Sequence, residues 1–134
     1  MVAPRPRSTA LLLAGWTAFV WVTRIGNIVG DDELSTADKA GGAALAISFG
    51  VLAVLVAWAA LRRRQLLGRL VLALTIWTVA VWAVRVVGMT GDDHSVGFVV
   101  AHVALAVISI ALCVVALREL LGDRDGFFGR RAAG

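Results

Sequence analysis

The sequence predicts an all-α integral membrane protein: a four-transmembrane-helix bundle made of two tandem two-helix hairpins of the same orientation. Three observations lead there. Four apolar stretches each reach about 20 residues, the length needed to cross the hydrocarbon of a bilayer. Basic residues crowd alternate connections between them. A stretch of 17 residues also occurs twice, 61 positions apart and without a gap.

Composition points the same way. The chain has 134 residues, enough for one domain, and is 60% hydrophobic with a mean hydropathy of +0.87. That is too apolar for a soluble domain of this size. The net charge of +4 is not read as a nucleic-acid signature, because the basic residues flank apolar runs and form no continuous patch. Nucleic acid is therefore not an expected partner; the bilayer is. The one cysteine, Cys113, rules out an intramolecular disulfide and with it the membrane thiol oxidoreductases, which need a pair. Abundant Ala, Val, Leu, Gly and Arg with a single Lys point to a GC-rich bacterial genome.

Taken in order, the expected spans are residues 9–29, 41–61, 70–90 and 97–117, followed by a cytoplasmic tail, 118–134. The second and fourth carry no formal charge with His102 neutral, whereas the first and third each hold one arginine, Arg24 and Arg85. Short connections make consecutive helices antiparallel neighbours. The first span has a basic start, but its length, its Trp and Arg residues and its match to the third span argue for a retained helix rather than a cleaved signal. The tail mixes charge with glycine; it is expected to be loosely ordered, or to set Phe127 and Phe128, beside Arg130 and Arg131, against an anionic leaflet.

Charge sets the orientation. Arg5, Arg7, Arg62, Arg63, Arg64, Arg69, Arg118, Arg124, Arg130 and Arg131 lie before span one, between spans two and three, or after span four. The other two connections carry Asp31, Asp32, Glu33, Asp38, Asp92 and Asp93 against one Lys39. The positive-inside rule puts both termini in the cytoplasm and predicts a multi-pass protein of the cell membrane.

The repeat comprises residues 16–32 and 77–93. Eight positions are identical: Trp16, Thr17, Val20, Trp21, Arg24, Gly30, Asp31 and Asp32 match Trp77, Thr78, Val81, Trp82, Arg85, Gly91, Asp92 and Asp93. Four of the five tryptophans fall in matched positions, which reads as an internal duplication. Repeat one then covers 9–61 and repeat two 70–117, related by a pseudo-twofold axis along the membrane normal. Inverted repeats instead place the axis in the membrane plane. Small residues four apart (Ala10, Ala14, Ala18; Gly42, Ala46, Gly50) suit close helix contact.

At about 100° per residue, Thr17, Trp21, Arg24, Ile28 and Asp31 share one side of the first helix, and Thr78, Trp82, Arg85, Met89 and Asp92 share one side of the third. Lipid tolerates arginine poorly, so the stripes are expected to face each other, with the first and third helices as direct neighbours. Arg24 and Arg85 each precede their glycine by six residues, roughly 9 Å at 1.5 Å per residue. His102 and Ser48 lie near that depth, which predicts one polar layer drawn from four helices. His102 also heads a weakly polar stripe with Ala106, Ser109, Cys113 and Ala116.

Two readings compete for these residues. In the functional one, Arg24, Arg85, Trp21, Trp82, His102, Asp31 and Asp92 bound an outward-facing site for an anionic lipid or a lipid-linked phosphate. Arginine suits such a group because its planar fork donates two hydrogen bonds at once, and each Trp is placed to stack on a ring or an isoprenoid chain. In the structural one, each arginine reaches outward to an aspartate and only ties the bundle together. No cofactor is expected. A bis-His haem lacks a second intramembrane histidine, because His94 falls in a connection, and Asp92, Asp93 and His94 are too close in sequence to converge on one metal. Catalytic signatures and paired intramembrane carboxylates are missing from the sequence, and so is any carboxylate at mid-membrane of the kind a proton-coupled pump uses. The leading expectation is a non-catalytic membrane protein that binds an anionic ligand or serves as an accessory subunit, joined to other membrane subunits or to copies of itself. The alternatives are a small oligomeric anion transporter or channel, and a helper subunit of a lipid-processing or redox enzyme.

Overall fold

A computed structural model describes the backbone of residues 6–91 and 93–132, with side-chain surroundings for 7–63, 65–91 and 93–122. The described chain is helical apart from its connections. The helices are α1 (Pro6–Gly30), α2 (Thr36–Arg62), α3 (Arg64–Met89) and α4 (Val96–Ala132). Each is long and apolar enough to cross a membrane.

The helix ends differ from the expected spans because local hydrogen bonding carries the backbone through polar sequence. Ser35 caps α2: its hydroxyl accepts the Asp38 N–H at 3.1 Å and donates to the Asp38 carboxylate at 2.5 Å. This brings Asp38 and Lys39 into the first turn of a helix expected to begin at residue 41. Only Arg63 separates α2 from α3; its N–H reaches the Ala59 carbonyl at 3.0 Å, and its own carbonyl accepts from Leu66. The arginine-rich segment is thus mostly helix. At the other end α4 runs on past residue 117 to Ala132, 37 residues in all, so the backbone of residues 118–132 is helical. The side chains of Phe127, Phe128, Arg130 and Arg131 lie outside those described.

The four helices form a ring. α1 packs on α2 and α4, and α3 packs on the same two, which leaves α1 and α3 at diagonal corners. The expectation that α1 and α3 are direct neighbours is therefore corrected. With connections this short, α2 must lie beside both α1 and α3, and closing the ring puts α4 against α1. The diagonal still keeps the arginines off the outer surface, because long side chains reach across the bundle.

Between the helices the core is built of small residues, including Ala10, Ala14, Ala46, Ala53, Ala59, Ala60, Ala106 and Ala116, interleaved with Leu13, Phe49, Val56, Leu67, Val71 and Leu74. Lipid tails are as apolar as leucine, so packing of this kind, rather than exclusion from water, holds membrane helices together. At Gly42 the approach is tightest among the glycines described: a Cβ there would sit 2.7 Å from Ile28 Cδ1, so the bare glycine leaves room for the end of the Ile28 side chain. Within the apolar windows of the four helices, only 28%, 33%, 28% and 17% of residues are buried by the bundle. Large side chains such as Leu12, Val22, Val54, Val84 and Val107 point outward. So much exposed apolar surface on every helix is what lipid covers and what water does not.

Candidate anion site

The inward stripes of α1 and α3 come out as the periodicity predicts. Thr17, Trp21 and Ile28 on α1 and Thr78 and Trp82 on α3 are buried, with Arg24, Arg85 and Met89 half-buried beside them. Two matching hydrogen bonds fix the middle of the ring. Trp16 Nε1–H donates to Ser109 Oγ at 3.0 Å, joining α1 to α4, and Trp77 Nε1–H donates to Ser48 Oγ at 3.0 Å, joining α3 to α2. Both partners lie 61 positions apart, 16 with 77 and 48 with 109.

Toward the end of the bundle that carries the α1–α2 and α3–α4 connections, the packing opens into a cavity of about 800 Å³. Ligand sites commonly fall between about 300 and 1,000 Å³. Of the predicted site residues, Trp21, Arg24, Asp31, Trp82, Arg85 and His102 all line it. Asp92 lies outside the described residues. No α2 side chain lines the cavity. Ser48, expected in the same polar layer, instead accepts from Trp77 and donates to the Leu45 carbonyl at 2.6 Å. Trp77 lies eight residues, about 12 Å, before Arg85, so Ser48 belongs to the middle of the ring and not to the arginine layer.

Each arginine is held by an uncharged neighbour. Arg24 Nη1 lies 3.5 Å from His102 Nε2, and His102 Nδ1 lies 2.9 Å from the Phe98 carbonyl. A carbonyl only accepts, so Nδ1 carries the proton, and the nitrogen facing the guanidinium of Arg24 is the one with the lone pair. Arg85 Cζ sits 5.7 Å from the ring centroid of Trp21, whose ring stacks on Phe49 with centroids 4.2 Å apart and planes 8° from parallel. A cation over an indole ring gains about 0.5–2 kcal/mol, more as water is excluded. The Trp21 ring thus supports Arg85 from within the protein.

Among the described residues, neither guanidinium has a carboxylate partner, and the Nε of each is buried without a hydrogen bond. The nearest acid to Arg24 in its own stripe, Asp31, is otherwise engaged: its Oδ1 accepts the Glu33 N–H at 3.0 Å and shapes the connection. Arg24 and Arg85 are like charges lining one cavity, so they repel each other. The arrangement is two like charges, each supported by aromatic or imidazole groups, facing one cavity.

The sequence reading missed part of the wall. The Phe98 ring lies 4.1 Å from that of His102 and 4.7 Å from that of His94, so the column formed by 98 and 102 on α4 continues into the connection before it. His94 lies in the exposed connection as expected, yet also lines the cavity. Phe19, Thr23 and Asn27, on the flank of α1 toward α4, also line the cavity and are exposed. They place its mouth in the groove between α1 and α4. No family model, curated protein or solved structure matches this chain.

Proposed function

We propose that this is a non-catalytic integral membrane protein whose cavity binds an anionic group between Arg24 and Arg85. One observation carries the reading: two guanidinium groups line the same cavity, each has a buried, unpartnered Nε, and neither has a carboxylate partner among the described residues. Taking a cation out of water costs several kcal/mol even after relaxation, and a purely structural arginine recovers that cost from an acid nearby. Among the described residues no acid plays that part, and the proposal gives it to a bound anion. Phosphate and carboxylate both accept the paired N–H groups that each guanidinium offers.

By the positive-inside rule the cavity faces the outside of the cell membrane and both termini are cytoplasmic. The internal duplication accounts for the paired Trp–Ser bonds, each linking a first helix of one hairpin to the second helix of the other. On that reading the two halves have diverged beside the cavity. His102 and Val103 of the second hairpin stand where the first has Gly41 and Gly42. Gly42 leaves room for the end of the Ile28 side chain, while His102 lends Arg24 a partner beside an open groove.

A transport path is the second reading. Its support is weaker, because below the cavity Leu13, Val56, Leu67, Val71 and Leu74 pack an apolar, fully buried core. An accessory role in a larger membrane complex is compatible with the binding site and adds partners along the exposed apolar faces. The test compares the melting of wild type and Arg24→Leu/Arg85→Leu with and without anionic lipid. A ligand stabilises the fold in proportion to its occupancy, so only the wild type should respond. Equal responses would remove the site and leave the arginines structural.

A further inference from the structure

The lining of the cavity changes character from its connection end to its α1–α4 flank, and this points to the source of the anion. At its aqueous end it is lined by Asp31, Glu33 and His94, with Asp32 and Asp93 in the same two connections. A soluble anion arriving from water meets carboxylates before it meets either arginine, and unlike the arginines those carboxylates are exposed. On the flank the lining changes. Thr23 and Asn27 lie level with or above Arg24, while Phe19, Val20 and Leu105 lie one turn or more below it, and Phe19 is 64% exposed toward the surroundings of the bundle. Polar groups near the arginines and an apolar trough running toward mid-membrane fit an amphiphile lying parallel to the helices.

Charge narrows the head group. A phosphate monoester carries about −1.5 to −2 at neutral pH, enough to balance both guanidiniums. A phosphodiester carries one charge and would leave one arginine uncompensated in a half-buried site. We infer that the ligand is a lipid-borne phosphomonoester that enters sideways through the α1–α4 groove, its phosphate against Arg24 and Arg85 and one chain along Phe19, Val20 and Leu105. This rests on the anion-site reading above and adds the source, the valence and the route.

The test titrates the full-length protein in neutral detergent with dioleoyl phosphatidic acid, dioleoyl phosphatidylglycerol, glycerol 3-phosphate and inorganic phosphate, reading bound mass and melting temperature. Phosphatidic acid should bind at least about tenfold more tightly than phosphatidylglycerol, the ratio expected from one additional charge-assisted contact, and the two soluble phosphates should bind more weakly still. Leu105→Trp, or Thr23→Trp at an exposed position should the first variant fail to fold, fills the groove and should weaken the lipid while leaving the arginines in place. If a soluble phosphate binds as tightly as phosphatidic acid, and does so only with both arginines present, the lipid source is overturned and the anion site stands. Equal binding of the two lipids overturns the monoester preference, and unchanged lipid binding in the groove variant overturns the route. Should no probe bind in an arginine-dependent way, the anion site itself falls, and this inference with it.

Discussion

Replacing both arginines with leucine should make the ligand-free protein more stable. Arg24 and Arg85 are half-buried, repel each other and leave their Nε groups without partners. Their compensation is partial: one 3.5 Å contact to His102 and one ring face at 5.7 Å. Exchanging buried ionic groups for well-packed apolar residues is often neutral or stabilising, by about 1–4 kcal/mol. Because both heads retain contact with the open cavity, we expect the lower end, about 1–2 kcal/mol for the double variant. The sign is what matters. A binding site sacrifices stability for function, whereas an ion-pair lock loses stability when it is removed. The assay is reversible unfolding of delipidated protein in mild detergent, wild type against Arg24→Leu/Arg85→Leu. A double variant clearly less stable than wild type would refute the reasoning, because it would mean that the arginines hold the bundle together.

Further outcomes follow from the packing. Gly41 and Gly42 should respond differently to substitution: nothing lies within 4 Å of a Cβ at 41, so Gly41→Ala should gain about 0.5–1 kcal/mol of helix stability. At 42 a Cβ already displaces the end of the Ile28 side chain, and the larger Gly42→Leu should cost about 1–3 kcal/mol by overpacking, both read by thermal melting. Trp16→Phe and Trp77→Phe should each cost about 0.6 kcal/mol, a typical interhelical hydrogen bond in a membrane, and their effects should add because the two bonds lie on different helix pairs. Cysteine labelling should reach position 38 from outside the cell and position 126 only from the cytoplasm; labelling of position 38 from the cytoplasm alone would reverse the topology.

What was legible in the sequence follows from which patterns are periodic. The four apolar stretches and the stripe Thr17–Trp21–Arg24–Ile28 repeat at helical spacing, so both the helices and their inward faces could be read. The helix ends could not be read from hydropathy, because Ser35 and Arg63 shape them through hydrogen bonds that no apolar count registers. Depth along a helix is a matter of counting residues, and it brought His102 correctly to the level of Arg24. The same counting misplaced Ser48, because α2 begins at Thr36 rather than residue 41 and Ser48 bonds Trp77, two turns before Arg85. Phe98 was overlooked for a different reason: its place beside His102 matters only because α4 closes against α1, a long-range contact with no local signature. The role of Asp31 was equally invisible: it lies at helical spacing from Arg24 yet accepts the Glu33 N–H in its own connection.

The central claim is that Arg24 and Arg85 exist to hold an anion that the chain does not supply. Native mass spectrometry of protein extracted in mild detergent tests it most directly, because it weighs whatever stays bound. The account predicts one phosphate-bearing molecule per chain on the wild type and none on a folded Arg24→Leu/Arg85→Leu protein. Wild type released bare, or the same adduct on both proteins, would contradict it.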